Sequence, residues 1–341
     1  MRAVGYQLRA GLGEVGYLVD LELPDPSPAP VDLLVAPEAI AVNPVDLKVR
    51  GRDLPPAGQW RLLGWDAVGR VVGLGQAVSG FAPGDRVWYA GALQRPGCNA
   101  ELQLVDHRLA ARAPRSLEAL EAAALPLTAI TAWELLFERF RLPAGTDAGA
   151  GETLLVLGGA GGVGSMLVQL ARRLTGFTVV ATASRPESRA WAEELGAHHV
   201  IDHSLPLGPQ LEALGVAPVS RAASLSHSGE HFAGLVELLA PQGALALIDD
   251  PPAEAINVLA LKRKSLALHW EFMFTRSLFG TADLAEQGRL LARVAELVDR
   301  GVLRSTVSSR LGTLTAANLE RAHAQLASGH STGKLVLSGF G

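Results

Sequence analysis

The sequence predicts an α/β protein in which a β-rich N-terminal domain precedes a doubly wound parallel sheet. Three observations carry this. Up to about residue 125, short apolar runs alternate with Pro/Gly turn signals. From Thr153 onward, strand-like runs alternate with segments of helical period. Between the first such strand and helix stands a glycine-rich turn, Gly159-Ala160-Gly161-Gly162-Val163-Gly164.

Taken in order, the N-terminal part is punctuated by Leu23-Pro24-Asp25-Pro26, Ala82-Pro83-Gly84-Asp85 and Arg95-Pro96-Gly97. Residues 68–73 and 85–89 read as strands joined by a turn. Residues 117–140 have helical period, and Pro126 either breaks that helix or starts a second one. Leu154-Leu155-Val156-Leu157 is a continuous apolar run, as expected of a strand covered on both faces. Val163, Met166, Leu167, Leu170, Ala171 and Leu174 then fall at helical spacing. Residues 177–181 read as a strand, 187–195 as a helix, 199–201 as a strand, 232–239 as a helix and 244–248 as a strand. That order implies parallel pairing with crossover helices. A helix follows at 284–299, and the closing strand Lys334-Leu335-Val336-Leu337 is expected to complete the sheet of the first domain.

Bulk properties narrow the function classes. A chain of 341 residues, 48% of them hydrophobic, has the length for two domains with sizeable cores. A formal net charge of -4 argues against nucleic acid as a general partner, because phosphate binding needs a concentrated basic face. The lone cysteine, Cys98, rules out an internal disulfide. Arg9 and Glu14 interrupt the N-terminus before any apolar signal-like region forms. The longest uncharged stretch, 153–171, carries glycines in its middle and reads as a buried strand-turn-helix rather than a membrane span. A cytoplasmic protein without membrane contact is the resulting expectation.

The glycine turn specifies a dinucleotide, and the fold around it is of Rossmann type. Gly159 permits a tight turn, Gly161 removes a side chain where a pyrophosphate approaches, and Gly164 lets the helix pack closely. The helix start offers free N–H groups and a partial positive charge. NAD-preferring sites hold an acidic residue about 20 residues beyond the glycines. Here the second strand ends Ala181-Thr182-Ala183-Ser184-Arg185, with no carboxylate before Glu187. Ser184 and Arg185 supply a hydroxyl and a guanidinium, which suit a 2′-phosphate, so NADPH is the expected cofactor.

The glycine turn and three further motifs, Asn43-Pro44-Val45-Asp46, Pro83-Gly84-Asp85-Arg86-Val87 and Gly333-Lys334-Leu335-Val336-Leu337, resemble the medium-chain dehydrogenase/reductase superfamily. Within it the chain resembles the quinone oxidoreductase branch. Ile248-Asp249-Asp250-Pro251, Leu261-Lys262-Arg263-Lys264-Ser265 and the stretch from His269-Trp270-Glu271 to Arg276 resemble bacterial proteins called zinc-type alcohol dehydrogenase-like. The resemblance implies a GroES-like domain over 1–125, completed by a C-terminal return over 276–341. It also implies a Rossmann NADPH domain over 126–275, a cleft between the two, and homodimers formed through the edges of the Rossmann sheets.

The resemblance carries site residues with it. Asn43 and Asp46 are expected near the nicotinamide, with Thr131 beside it. Asn43 would donate to the acceptor oxygen or hold the cofactor amide, and Asp46 would orient neighbours such as Lys48. His203 stands near a tyrosine position that packs by the adenosine phosphate. Ile248 and Asp249 close a Rossmann strand at its carboxyl end, where ligands bind in such sheets. Lys334 belongs to the final motif and is placed with the cofactor residues. Trp65, Trp88, Trp270 and Phe272 are candidates for an apolar pocket. Quinone reductases carry two cleft tyrosines where this chain has Lys48 and Leu54, so the proton donor is open among Lys48, Tyr89 and water.

The residues argue against zinc. Zinc-using relatives supply a cysteine near the position of Asn43 and a Gly-His-Glu motif, which here reads Gly64-Trp65-Asp66. Tryptophan ligates no metal, and a structural zinc needs four cysteines. His198, His199 and His203 lack a fourth ligand. The expectation is therefore a zinc-independent, NADPH-dependent oxidoreductase that passes hydride to a quinone or α,β-unsaturated carbonyl. Two alternatives stand beside it: a redox-sensing NADPH-binding protein with little turnover, and a zinc-type alcohol dehydrogenase.

Overall fold

The structure, a computed structural model, describes residues 1–7, 17–143, 145 and 147–340. Arg9 and Glu14 lie outside the described residues. The chain packs into two units, one of Met1–Ile130 with Phe274–Gly341 and one of Thr131–Met273. The sequence reading placed its boundaries at 125/126 and 275/276.

The first unit begins with β1 (Arg2–Tyr6), β2 (Val19–Glu22) and β3 (Asp32–Ala41), followed by helix α1 (Pro44–Arg52). Then come β4 (Arg61–Leu62), β5 (Ala67–Leu74), β6 (Arg86–Tyr89), β7 (Gln103–Asp106) and β8 (Ala110–Arg112). Val35, Ile40, Val68, Val71 and Val87 are core residues at most 1% exposed, and register shifts in the β3–β5 pairing at Leu34/Val35 and Pro37/Ala39 interrupt simple alternation of faces. The segment after α2 (Ala119–Ala123) enters α3 (Pro126–Trp133) and a π-helical turn, Glu134–Arg139. By length and composition Ala119–Arg139 passes as a membrane helix, but 78% of its most apolar window is buried inside the fold.

The second unit contains β9 (Thr153–Leu157), α4 (Gly162–Leu174), β10 (Thr178–Thr182), α5 (Pro186–Glu194), β11 (His199–Ile201) and α6 (Leu207–Leu214). It continues with β12 (Val219–Ser224), α7 (Ser228–Leu238), β13 (Leu239–Leu247) and β14 (Ala267–Trp270). The sheet runs β11-β10-β9-β12-β13-β14, and the pairs along it are parallel. The order reverses beside β9, at the glycine turn, which is where such sheets bind ligands.

Three elements of this unit escaped sequence reading. β12, Val-Ser-Arg-Ala-Ala-Ser, has none of the bulky apolar run expected of a central strand, because alanines fill the space between its neighbours. β14 is an edge strand with a half-exposed pattern. α6 is short and begins after Pro206. The strand expected over 244–248 starts earlier and ends at Leu247, leaving Ile248 just beyond it. The helix expected over 232–239 begins at Ser228.

The chain ends with α8 (Thr275–Phe279), α9 (Glu286–Asp299), β15 (Val307–Thr313), α10 (Ala316–Ala327) and β16 (Lys334–Ser338). β16 pairs antiparallel with β3, Val336 opposite Ala41 and Leu337 opposite Ile40. The last strand thus lies against the first unit's sheet, whose order is β15-β16-β3-β5-β6-β8.

α1 is fixed by α10. Arg50 donates to both carboxylate oxygens of Glu320, at 2.9 and 2.5 Å, and to His323 Nδ1 at 3.1 Å. Arginine only donates, so His323 is held neutral with its proton on Nε2. That Nε2 is buried without a partner. Burial, and then the charge of Arg50, depress the His323 pKa to about 4. The unfolded chain therefore binds this proton more readily. Stability is complete above the ordinary histidine range and is lost as pH falls toward 4, by up to about 3 kcal/mol for a shift of this size. Urea unfolding between pH 4.5 and 7 should show a steeper acid loss in the native chain than in His323→Leu. Parallel pH profiles would contradict this assignment.

Candidate cofactor site and buried charge network

The turn between β9 and α4 departs from the sequence reading in one detail. The left-handed residue is Gly158, with φ 79°, rather than Gly159. Gly159 is required by close approach, since a Cβ there would stand 2.7 Å from Ala181 Cβ. A Cβ at Gly164 would lie 2.3 Å from Gly158 O, so that glycine allows the helix to start directly under the turn. At Gly161 the nearest such atom, Gly158 O, is 3.5 Å away. Gly161 caps α4 with φ -70° and ψ 178°. Ala160 and Val163 complete the turn, and the first N–H groups of α4 have no intrahelical acceptor. Cradle and helix start fit a pyrophosphate.

The strand ends beside the turn are tied to it. Gly158 N–H donates to Thr182 Oγ1 at 3.0 Å, and Gly159 N–H donates to Thr182 O at 3.1 Å. Thr182 Oγ1 also lies 3.1 Å from His203 Nδ1. Ser184 is exposed and Arg185 half-buried at the start of α5. Arg189, which sequence reading passed over, spans two strand ends, donating to Val200 O at 2.7 Å and Ala183 O at 3.4 Å. Asp249 Oδ2 accepts from Ser228 N at 2.9 Å and so caps α7, a role its sequence position does not reveal. Ile248 is half-buried, and Thr131, in the same unit, is 5% exposed. Glu271 is wholly buried against Arg139 Nε at 2.8 Å, and burial raises its pKa.

In the other unit, Asn43, Asp46, Asp66 and Lys334 form one buried network, each at most 3% exposed. Lys334 Nζ donates to Val42 O at 2.9 Å and to Asn43 Oδ1, and pairs with Asp66 Oδ2 at 3.0 Å. All three ammonium hydrogens are thereby used. Asn43 Nδ2 donates to Asp66 Oδ2 at 3.2 Å and Ala41 O at 3.4 Å. Leu127 N–H donates to Asp66 Oδ1 at 3.0 Å. Asp46 accepts from Asn43 N at 2.7 Å and Gly64 N at 2.9 Å. Burial lifts the Asp46 pKa to about 7, against these hydrogen bonds and Lys334. Asp66 is likewise raised by burial and lowered by Lys334. Burial is the largest cause of both shifts, and Lys334 opposes it at both carboxylates.

Two expected roles change on this geometry. Both ends of the Asn43 amide are used inside the network, so it is not presented as a free donor. Asp46 orients Asn43 and Gly64 through their N–H groups. Zinc does not fit at 43, 65 and 66. Trp65 is 1% exposed and donates to Ala92 O at 3.2 Å, and the Asp66 carboxylate is already held by a cation, Lys334. Among the described residues no group of three or more His, Cys, Asp or Glu is arranged to hold a metal. Cys98 is buried, and burial raises its thiol well above the usual range.

The four candidate pocket aromatics are not one group. Trp65 and Trp88 are core residues of the first unit, at 1% and 0% exposure. Trp270 and Phe272 belong to the second unit and are 52% and 45% exposed. Tyr89 is 1% exposed, with an unpartnered hydroxyl that burial holds well above the ordinary tyrosine range. Lys48 is half-buried on α1.

Comparison with known proteins agrees with this architecture. Residues 29–114 match the alcohol dehydrogenase GroES-like domain, and residues 195–337 match the zinc-binding dehydrogenase family. A zinc-type alcohol dehydrogenase-like protein of Staphylococcus aureus is 36% identical over 338 residues, covering 99% of this chain and all of the relative. A chloroplastic quinone oxidoreductase of Triphysaria versicolor is 28% identical, covering 99% of this chain and 98% of its own. A solved protein of Rhizobium etli, named as a zinc-dependent alcohol dehydrogenase, is 50% identical over the whole of this chain and 98% of its own, with a TM-score of 0.93. A mycobacterial protein solved with NADPH is 27% identical over 99% of both chains, with a TM-score of 0.82. The chain belongs to the medium-chain dehydrogenase/reductase superfamily of oxidoreductases, alongside the zinc-type alcohol dehydrogenase-like proteins.

Proposed function

We propose that this protein is a cytoplasmic, zinc-independent, NADPH-dependent reductase of quinones or α,β-unsaturated carbonyls. The observation that carries the proposal is the Asn43–Asp66–Lys334 network. A fixed ammonium stands among the side chains that would otherwise ligate a catalytic metal, so the chemistry falls to acceptors that need no Lewis acid. Quinones and enones qualify, because hydride addition delocalises charge onto oxygen. When bound, the nicotinamide supplies the hydride. The names of the Triphysaria and mycobacterial relatives, a quinone oxidoreductase and an NADPH complex, point the same way.

The remaining chemistry belongs to the chain's own residues. Gly159, Ala160, Gly161, Gly162, Val163 and Gly164 receive the pyrophosphate, while Ser184, Arg185 and His203 receive the adenosine end. Thr131, Ile248 and Asp249 line the same unit's cofactor face. Asn43, Asp46 and Lys334 act as positioning residues. Proton supply falls to Lys48, because Tyr89 is sealed in the core. The exposed edge β14, with Trp270 at 52% exposure, together with Val258 and Leu259 of the preceding 3-10 helical segment Val258–Lys264, at 58% and 77%, is proposed to pair with a second copy of the chain.

Initial rates with an acceptor panel of quinones, enones and aldehydes should show quinone or enone turnover with NADPH well above that with NADH, and Lys48→Met should lower kcat. NADH preference, or no turnover with any acceptor, would defeat the proposal; the second result would favour a cofactor-binding sensor. Removing one partner of the buried pair, by Asp66→Asn or Lys334→Met, should cost about 3–5 kcal/mol in urea unfolding. The double variant should cost clearly less than the sum, and additivity would show that the pair is not coupled. Sedimentation equilibrium should give a dimer that Leu259→Glu converts to monomer; a native monomer would remove the edge-pairing proposal.

A further inference from the structure

The carboxyl edge of the second unit's sheet holds a histidine cluster of which the cofactor assignment uses only His203. His203 follows β11, and His227 and His231 stand at the start of α7. The rings of His203 and His231 meet edge to face, centroids 6.3 Å apart. His227 adopts a left-handed backbone, φ 52° and ψ 32°, directly before Ser228, which Asp249 caps. The preceding Ser226 is close enough to the glycine turn that a Cβ on Gly158 would stand 3.0 Å from its Oγ. One contiguous edge therefore joins Gly158, Thr182, His203, His231 and His227.

Hydrogen-bond direction follows from burial. Thr182 is wholly buried, and its hydroxyl already accepts from Gly158 N–H. A buried hydroxyl proton needs an acceptor, and the one at hand is His203 Nδ1 at 3.1 Å. The neutral ring then carries its proton on Nε2, and a second proton can enter only at Nδ1, where it turns the Thr182 bond around. Among the charged groups around His203, Asp202 favours the cation, while His231, His227 and Arg185 oppose it. Burial is the largest effect and holds His203 below the ordinary histidine range in the free protein. Asp202 is itself engaged by Ser204 N and Oγ at 2.8 and 2.7 Å. Arg189 is committed to the strand carbonyls. An anion of two charges against this edge would reverse the balance, because the same positive neighbours that repel a proton from His203 attract a phosphate.

We infer that His203, backed by His231 and His227, reads the 2′-phosphate of the cofactor by taking up a proton with it, so that discrimination between NADPH and NADH depends on pH. The inference rests on the NADPH reading of the glycine turn and names the residues that enforce it. Proton uptake at Nδ1 also changes the Thr182–Gly158 link, which couples phosphate recognition to the turn that holds the pyrophosphate.

The test is fluorescence titration of NADPH and of NADH, each without acceptor, across pH 6 to 8. The NADH-to-NADPH ratio of Kd should fall about tenfold over that range as the charge-assisted bond is lost. The 2′-phosphate gains charge as pH rises through about 6, which pushes the other way, so a falling ratio cannot come from the ligand. His203→Gln should flatten the fall, and His231→Asn should move its midpoint to higher pH by removing a repelling neighbour. A ratio that favours NADPH but stays constant with pH, or one that falls equally in His203→Gln, overturns the inference and leaves the NADPH reading intact. Tighter binding of NADH at every pH overturns that reading and the inference with it.

Discussion

The buried ammonium of Lys334 sets the local order of the first unit. It meets Val42 O, Asn43 Oδ1 and Asp66 Oδ2, so one charge joins the last strand to the residues just before α1 and just before β5. Asp66 passes the connection to the start of α3 through Leu127 N–H. Such a pair is weak as a source of net stability, because taking both ions out of water offsets most of their attraction. Its force lies in what it forbids. An unpaired buried carboxylate is costly enough that β16 is held against β3 and Asn43 in one orientation.

The second unit handles charge differently. The edge proposed to take the adenosine end is half-buried, and burial holds His203 there below the ordinary histidine range. Arg185 and the histidines surround Thr182, which bonds the glycine turn. Positive charge locked inside one unit cannot respond to a ligand, whereas positive charge held below its ordinary proton affinity at an edge can. The separation of roles follows from burial: full desolvation with complete pairing makes a structural group, and partial desolvation with like-charged neighbours makes a responsive one.

The legible parts of this molecule are those with a local signal. The strand Leu154-Leu155-Val156-Leu157, the glycines and the helical spacing after them identify the turn without reference to anything distant. Strand β12 was invisible because its alanines and serines carry no hydrophobic period, although its centre is buried. The pairing of Asp66 with Lys334 spans most of the chain, and no spacing rule connects them. The sequence marks Asn43 and Asp46 as site residues, but whether an amide faces a ligand or its own backbone is decided by β16, which the sequence shows only as a strand. His227 and His231 carry no such local signal either. They sit after an unrecognised strand, and only the parallel register brings them to His203. The exposure of Trp270 likewise follows from β14 lying at the sheet edge.

The central claim is that a protein ammonium replaces the metal and that turnover proceeds without one. Elemental analysis of purified protein that is active with NADPH, repeated after exhaustive chelation, tests it most directly. The account predicts zinc far below one ion per chain and a turnover rate unchanged by chelation. One zinc per chain, with activity lost on its removal and restored on its return, would contradict it.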